Sequence, residues 1–99
     1  MKVHKTMENE KTILALEGRL DTTTSPTLQA ELIPAFDIAE TVYLDFEKLA
    51  YVSSAGLRVL LMGLKTAQSK GKALILKNVS KDIMEVFDMT GFTEMLTFE

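Results

Sequence analysis

The chain has 99 residues, the size of one domain, which is enough for a core to form without crosslinks. It contains no cysteine, which excludes a disulfide framework and a thiolate metal site. Its net charge of -3 argues against non-specific nucleic-acid binding, and no apolar run reaches the roughly 18 residues needed to span a membrane. The N-terminus is polar and lacks the apolar region of a signal peptide. We therefore expect a cytoplasmic protein with a single domain over residues 1–99.

The first third of the chain predicts two strands and a helix. Residues 12–18 form a short apolar run that ends at glycine, and residues 1–8 are expected to pair with it as a weak edge strand. Ser25 and Pro26 then resemble a helix cap followed by proline at the first helical position. Pro34 predicts that this helix kinks or ends early, because it cannot donate a helical hydrogen bond. The apolar side chains of the helix share one face: Leu28, Leu32 and Ala35.

The remaining two thirds alternate strands and helices. Residues 41–46 predict a strand that is apolar on both faces, as in a parallel sheet. A helical pattern runs over residues 54–69, and residues 73–77 predict the next strand. A short helix is expected between the cap and stop signals at residues 80 and 91, before a last strand within residues 94–99. The order β-β-α-β-α-β-α-β predicts an α/β fold, with a small mixed sheet of about four to five strands and about three to four helices.

The helix that begins at Ser54 carries apolar residues on two sides. We assign the core to the side that carries Leu57, Leu60, Leu61, Leu64 and Gln68. The opposite side includes Val59 and Met62, which we expect to be exposed between Arg58 and Lys65. Scattered exposed apolar residues are common, so this side is either ordinary surface or a docking stripe for a partner.

Two hydroxyls, those of Ser53 and Ser54, stand where the strand gives way to this helix. Either serine is able to cap the helix by accepting a hydrogen bond from a free backbone N–H. The same place suits a phosphate, because the free N–H groups and the positive end of the helix dipole stabilise an anion. A phosphoryl group on Ser54 would add about -1.5 to -2 charges at neutral pH. Both readings remain open from the residues alone.

Catalytic patterns are absent from the sequence. The only histidine is His4, on a predicted edge strand far along the chain from the serine pair. The stretch VSSAG does not match the Gly-x-Ser-x-Gly nucleophile elbow. No group of residues has metal-ligand spacing, and no glycine-rich phosphate loop occurs. We therefore expect a protein that is not an enzyme and that holds no cofactor.

Three segments carry a family resemblance that spans nearly the whole chain: EGRLDTTTSPTLQAEL, VYLDFEKLAYVSSAGLRVLL and VFDMTGFTEMLTFE. In this order they resemble the STAS domain family, close to the bacterial anti-sigma factor antagonists. The family loop reads approximately Asp-Ser-Ser/Thr-Gly-Leu, and its first serine is phosphorylated. Alignment on Gly56 and Leu57 places that serine at Ser54. This chain has Ser53 at the acidic position and Ala55 at the position of the second hydroxyl.

The resemblance implies a partner-switching cycle. The unphosphorylated protein would bind an anti-sigma factor that is also a serine kinase, and so free a sigma factor. Phosphorylation of Ser54 would release the complex, and a serine phosphatase would reverse it. Asp21 matches the acidic residue of the family's first loop, near the phosphoacceptor. The predicted partner-binding residues are Asp21, Thr22, Ser53, Ser54, Ala55, Arg58, Val59 and Met62.

The serine at position 53 keeps an alternative function open. STAS domains also serve as constitutive binding subunits of lipid transporters and of signalling scaffolds, without a phosphorylation switch. For either function we expect a monomer or a weak dimer.

Overall fold

An open sheet of five strands organises the molecule, and the computed structural model describes all of residues 1–99. The main elements, in chain order, are β1 (Lys2–Glu8), β2 (Lys11–Leu20), α1 (Ser25–Ala35), β3 (Thr41–Val52), α2 (Ser54–Lys70), β4 (Ala73–Lys77), α3 (Lys81–Thr90) and β5 (Thr97–Phe98). A single 3-10 turn, Phe92–Glu94, lies between α3 and β5. The predicted order of strands and helices is confirmed, as is the α/β class.

The sheet is mixed, as predicted, with the spatial order β1-β2-β3-β4-β5. Only the β1–β2 pair is antiparallel, and the other three pairs are parallel. Each of the three crossovers therefore moves one strand further in the same direction. Because such crossovers are right-handed, all three helices pack on one face of the sheet. The core lies between that face and the helices, where Leu14, Leu44 and Leu76 are fully buried. No helix has the length and apolar character that a membrane crossing needs.

Strand β3 runs six residues beyond its predicted end at Phe46, as far as Val52. Its buried residues in this second half recur every third position, at Phe46, Leu49 and Val52. The pairing with β2 shifts twice, between Ala15/Glu17 and between Gly18/Arg19, and each shift leaves one extra residue in β3. A bulge of this kind changes which side chain faces inward. The alternation expected of a strand is therefore broken, although the strand continues.

Helix α2 is rotated relative to the predicted orientation, and the prediction that Val59 is exposed is wrong. Val59 is only 4% exposed, whereas Gln68, assigned to the core, is exposed. The cause is α1, which packs against the side of α2 that carries Val59 and Gly63. A Cβ atom on Gly63 would lie 2.6 Å from Leu32 Cδ2 of α1. The glycine thus lets the two helices approach closely, and Val59 is buried one turn before it on the same side of α2.

Helix α1 begins and ends close to the predicted signals. Its N-cap is Thr24 and not Ser25, which is the first helical residue and donates its hydroxyl to the carbonyl of Asp21 at 2.6 Å. The helix contains Pro34 and ends one residue later, at Ala35, the last residue of its predicted apolar face. The cap at Thr24 and the proline at position 34 thus mark the two ends of α1.

Candidate functional site

The C-terminal ends of β2 and β3 bring two loops together at the mouth of α2. The backbone N–H of Ser53 donates to the carbonyl of Leu20 at 2.9 Å, which ties the second loop to the end of β2. Leu20 and Val52 are both buried and adjacent in the parallel pairing. The loop that starts at Asp21 and the start of α2 at Ser53 and Ser54 are therefore held side by side by the sheet.

The two serines have different roles. Ser53 is the N-cap of α2: its hydroxyl accepts from the N–H of Gly56 at 3.4 Å, and its carbonyl accepts from the N–H of Leu57 at 2.9 Å. Ser54 is the first helical residue, and its side chain is exposed. No acidic residue occupies the first turn of α2. Since Ser53 already caps the helix, the Ser54 hydroxyl is left free at the positive end of the helix dipole.

Asp21 organises the first loop from within. Its Oδ1 accepts from the N–H and the hydroxyl of Thr23, at 3.1 and 2.8 Å, and from the N–H of Thr24 at 3.1 Å. The Thr24 hydroxyl in turn donates to the carbonyl of Arg19 at 2.7 Å. The hydrogen bond from the Thr23 hydroxyl, together with the backbone bonds, lowers the pKa of Asp21 below its ordinary value of 3.8. Thr22, by contrast, is exposed and its side chain makes no hydrogen bond.

Arg19 and Tyr51 form a further contact beside this loop, which the sequence analysis missed. The two residues are paired across β2 and β3, and the guanidinium lies 4.2 Å from the centre of the Tyr51 ring. The Nε atom of Arg19 is also 3.9 Å from Oδ2 of Asp21. The ring is 41% exposed, so this cation–π pair forms part of the surface at the end of the sheet. Only the bulged pairing of β2 with β3 reveals it.

One side of α2 continues this surface away from Ser54. Ala55, Arg58 and Met62 follow one another at spacings of three and four residues, so they lie on the same side of the helix. Arg58 is exposed and belongs to none of the ion pairs of the chain. Ala55 and Met62 are half-buried. The surface thus combines an unpaired cation with apolar area, a composition suited to protein recognition.

The family model described as "Mlab, STAS domain" matches residues 3–97 of the chain. The chain belongs to the STAS domain family. BtrV of Bordetella bronchiseptica, named as an anti-sigma factor antagonist, is 37% identical over 81 residues, which cover 81% of this chain and 70% of that protein. The anti-sigma-B factor antagonist of Bacillus subtilis is 27% identical over 90 residues, which cover 90% of this chain and 83% of that protein.

The fold of this STAS domain is also that of the anti-sigma factor antagonist SpoIIAA. The superposition on unphosphorylated SpoIIAA has a TM-score of 0.79 at 21% identity, and covers 99% of this chain and 87% of that chain. With phosphorylated SpoIIAA the TM-score is 0.77 at 22% identity, over 99% and 91% of the two chains. The family and the fold predicted from the sequence are therefore confirmed.

Seven of the eight predicted partner-binding residues lie on or beside one surface of the STAS domain. Asp21 and Thr22 belong to the loop tied to Ser53, and the others follow along α2: Ser53, Ser54, Ala55, Arg58 and Met62. Val59 is the exception, because it is buried. The structure shows this proximity, and the role of each residue in binding stays a prediction.

The burial of Val59 leads to a first prediction. Val59→Ala is expected to lower the free energy of unfolding by about 2 kcal/mol, since it removes buried methyl groups and leaves a cavity. Met62→Ala should cost less than half of that amount, because Met62 is only half-buried. Urea unfolding of the two variants measures the difference. Equal costs would contradict the rotation of α2 described above.

A second prediction concerns the pH dependence of the Asp21 loop. Because the pKa of Asp21 is lowered in the folded protein, its carboxylate stabilises the loop above pH 3.8, and this contribution is lost as the pH falls through the lower folded value. In an NMR titration, the amide protons of Thr23 and Thr24 should therefore shift only below pH 3.8. The shift should be absent in Asp21→Asn. A titration of these amides above that pH would contradict the hydrogen-bonded carboxylate.

Proposed function

We propose that this STAS domain is an anti-sigma factor antagonist that acts by partner switching, with Ser54 as the phosphorylated residue. The observation that carries the proposal is the division of roles between the two serines. Ser53 caps α2, whereas the exposed hydroxyl of Ser54 has no structural duty. A kinase therefore has access to Ser54, and its modification does not remove a cap. The names of the relatives, which are anti-sigma factor antagonists, support the same function.

The serine at position 53 is compatible with this switch. An N-cap requires an oxygen acceptor, which the hydroxyl of serine supplies as an aspartate would. Without a carboxylate at the cap, a phosphate on Ser54 meets no neighbouring negative charge in the first turn. The phosphate also has a cation within reach, since Arg58 lies four residues further along α2 and is unpaired.

The partner in this proposal is an anti-sigma factor with serine kinase activity, and a serine phosphatase restores the unmodified form. The STAS domain itself is a binding protein of the cytoplasm and not an enzyme. It docks through the end of the sheet and the exposed side of α2, from Asp21 to Met62. Docking leaves Ser54 inside the contact area, so one group serves both as the substrate of the partner and as the switch.

A constitutive binding subunit is the second candidate function. The serine in place of the acidic residue of the family loop favours it. In that case Ser54 lies in a contact with a transporter ATPase or a scaffold, and no phosphate is added.

An affinity pull-down from native lysate distinguishes the two functions. Wild-type and Ser54→Asp baits are compared, and the recovered proteins are identified by mass spectrometry. We expect the wild-type bait to recover a kinase-like anti-sigma factor and the variant to lose it. Equal recovery of a transporter ATPase by both baits would contradict the switch and support the constitutive subunit.

A further inference from the structure

An apolar groove runs between α1 and α2, next to the proposed docking surface but outside the predicted binding residues. It is an open depression with a volume of about 440 Å³. Its seven lining residues come from both helices: Pro26, Gln29, Ala30, Ile33 and Pro34 from α1, and Met62 and Thr66 from α2. The Thr66 hydroxyl donates to the carbonyl of Met62 at 2.8 Å, so this polar group is already satisfied within α2. The groove shares Met62 with the docking surface and is therefore continuous with it.

The wall formed by α1 also carries an unusual backbone acceptor. In a helix, the carbonyl of Ala30 would accept from the N–H of residue 34. That residue is Pro34, which has no N–H. Ala30 and Pro34 are both exposed and both line the groove.

The charge around the groove is one-sided. Arg58 and Lys65 flank Met62 along α2, and both are exposed without an ion-pair partner. Lys70 and Lys72, by comparison, are paired with Asp37 and Glu40 at 2.8 Å. No acidic residue lines the groove. Arg58 and Lys65 lie one turn before and one turn after Met62 on α2, so the charged side chains nearest to Met62 along the helix are cationic and favour an acidic occupant.

We infer that this groove receives an amphipathic helix of the anti-sigma factor, with an apolar stripe flanked by acidic residues. The inference rests on the proposed function and extends its docking surface from α2 onto α1. The apolar stripe contacts Ile33 and Met62, and the acidic flank faces Arg58 and Lys65. This arrangement is the helix-in-groove mode of recognition, in which anchors recur every three to four residues. In this arrangement the groove provides the specificity for the partner, and the phosphorylation state of Ser54 controls whether the partner is bound.

The test measures the affinity of the purified kinase recovered in the pull-down for three variants of the whole chain, by isothermal titration calorimetry. Ala30→Glu adds a negative charge and bulk inside the groove, and we expect it to weaken binding by at least about tenfold. Ala30→Lys adds similar bulk with the opposite charge, so it should weaken binding less. The matched control is Thr27→Glu, which places the same charge on an exposed α1 position outside the groove. It should stay within about twofold of wild type.

Crosslinking gives a readout that does not depend on affinity. The chain has no cysteine, so Gln29→Cys and Thr27→Cys each create a single thiol for a benzophenone label. Gln29 lines the groove and Thr27 does not. Irradiation should crosslink the kinase to the label at position 29 and not to that at position 27. Peptide mapping should place the crosslink in an acidic helical segment of the kinase.

The possible results separate the groove from the switch. If Ala30→Glu and Thr27→Glu bind the kinase with equal affinity while Ser54→Asp does not bind it, the inference about the groove is contradicted and the proposed switch is supported. If Ser54→Asp binds as wild type, the switch fails, and the groove is then judged by Ala30→Glu alone. A crosslink between two copies of this chain, with none to the kinase, would overturn the inference in favour of self-association.

Discussion

Ser54→Asp is expected to weaken binding of the anti-sigma factor by roughly thirtyfold or more, about 2 kcal/mol, because the added charge either repels the docked partner or withdraws Arg58 from it. The aspartate stands in for part of the charge of the phosphate. Ser54 lies at the centre of the proposed surface, between the Asp21 loop and Arg58. Titration of the purified partner against wild type and variant measures the loss.

The fold should tolerate this substitution. A negative charge in the first turn of a helix is stabilising by about 0.3–1 kcal/mol at an exposed position. The variant should therefore unfold at the same or a slightly higher urea concentration than wild type. An unfolded or weakened Ser54→Asp protein would mean that the loss of binding has a trivial cause, and that the serine is structural.

Arg58 provides a second way in which a negative charge at Ser54 lowers the affinity for the partner. Residues four apart on a helix are neighbours, so an anion at Ser54 is able to pair with Arg58 and withdraw it from the partner. In an Arg58→Ala background, Ser54→Asp should therefore cost less binding free energy than in wild type. An equal cost in both backgrounds would assign the effect to direct repulsion of the partner.

Ser53→Ala is the matched control at the neighbouring hydroxyl. It removes the side-chain acceptor of the cap, and we expect it to cost about 1 kcal/mol of stability without abolishing binding. Ser54→Ala, in contrast, should leave the stability unchanged and abolish phosphorylation. The pair of alanine variants thus separates the cap from the switch, which the sequence alone left open.

The sequence predicted elements well where local signals determine them. Glycine at position 71 ends α2 and serine at position 80 caps α3, as expected from their residue types. Strand β3 was predicted too short because two bulges place its buried residues at every third position. A search for alternating apolar residues does not recognise such a strand, because each bulge changes which of its side chains face the core.

The candidate site was also predicted only where local signals determine it. Ser54 follows from the chemistry of a helix mouth and from the family loop, which are both local. The error at Val59 and the failure to find the groove have one cause, which is the position of α1 beside α2. Helical periodicity gives the faces of α2 but not which neighbour covers each face. The cation–π pair of Arg19 and Tyr51 likewise depends on strand register.

Gly56 holds α2 against the ends of β2 and β3, and Gly56→Val is expected to lower the free energy of unfolding by about 3 kcal/mol. A Cβ atom at this position would lie 2.7 Å from Leu20 Cγ and 3.1 Å from Val52 Cγ1. Both neighbours are buried, so they have little room to move. A loss of this size is a large part of the about 5–15 kcal/mol that stabilises a typical domain.

Two further variants show whether the close approach itself is responsible. Ala55→Val adds volume at the adjacent, half-buried position and should cost less than about 1 kcal/mol. Combining Gly56→Val with Leu20→Ala makes room for the new side chain, so the double variant should be more stable than the sum of the single costs implies. Urea unfolding of wild type, of the three single variants (Gly56→Val, Ala55→Val and Leu20→Ala) and of the double variant measures these differences. Wild-type stability of Gly56→Val would mean that α2 stands further from the strand ends, and that Ser54 is not fixed beside the Asp21 loop.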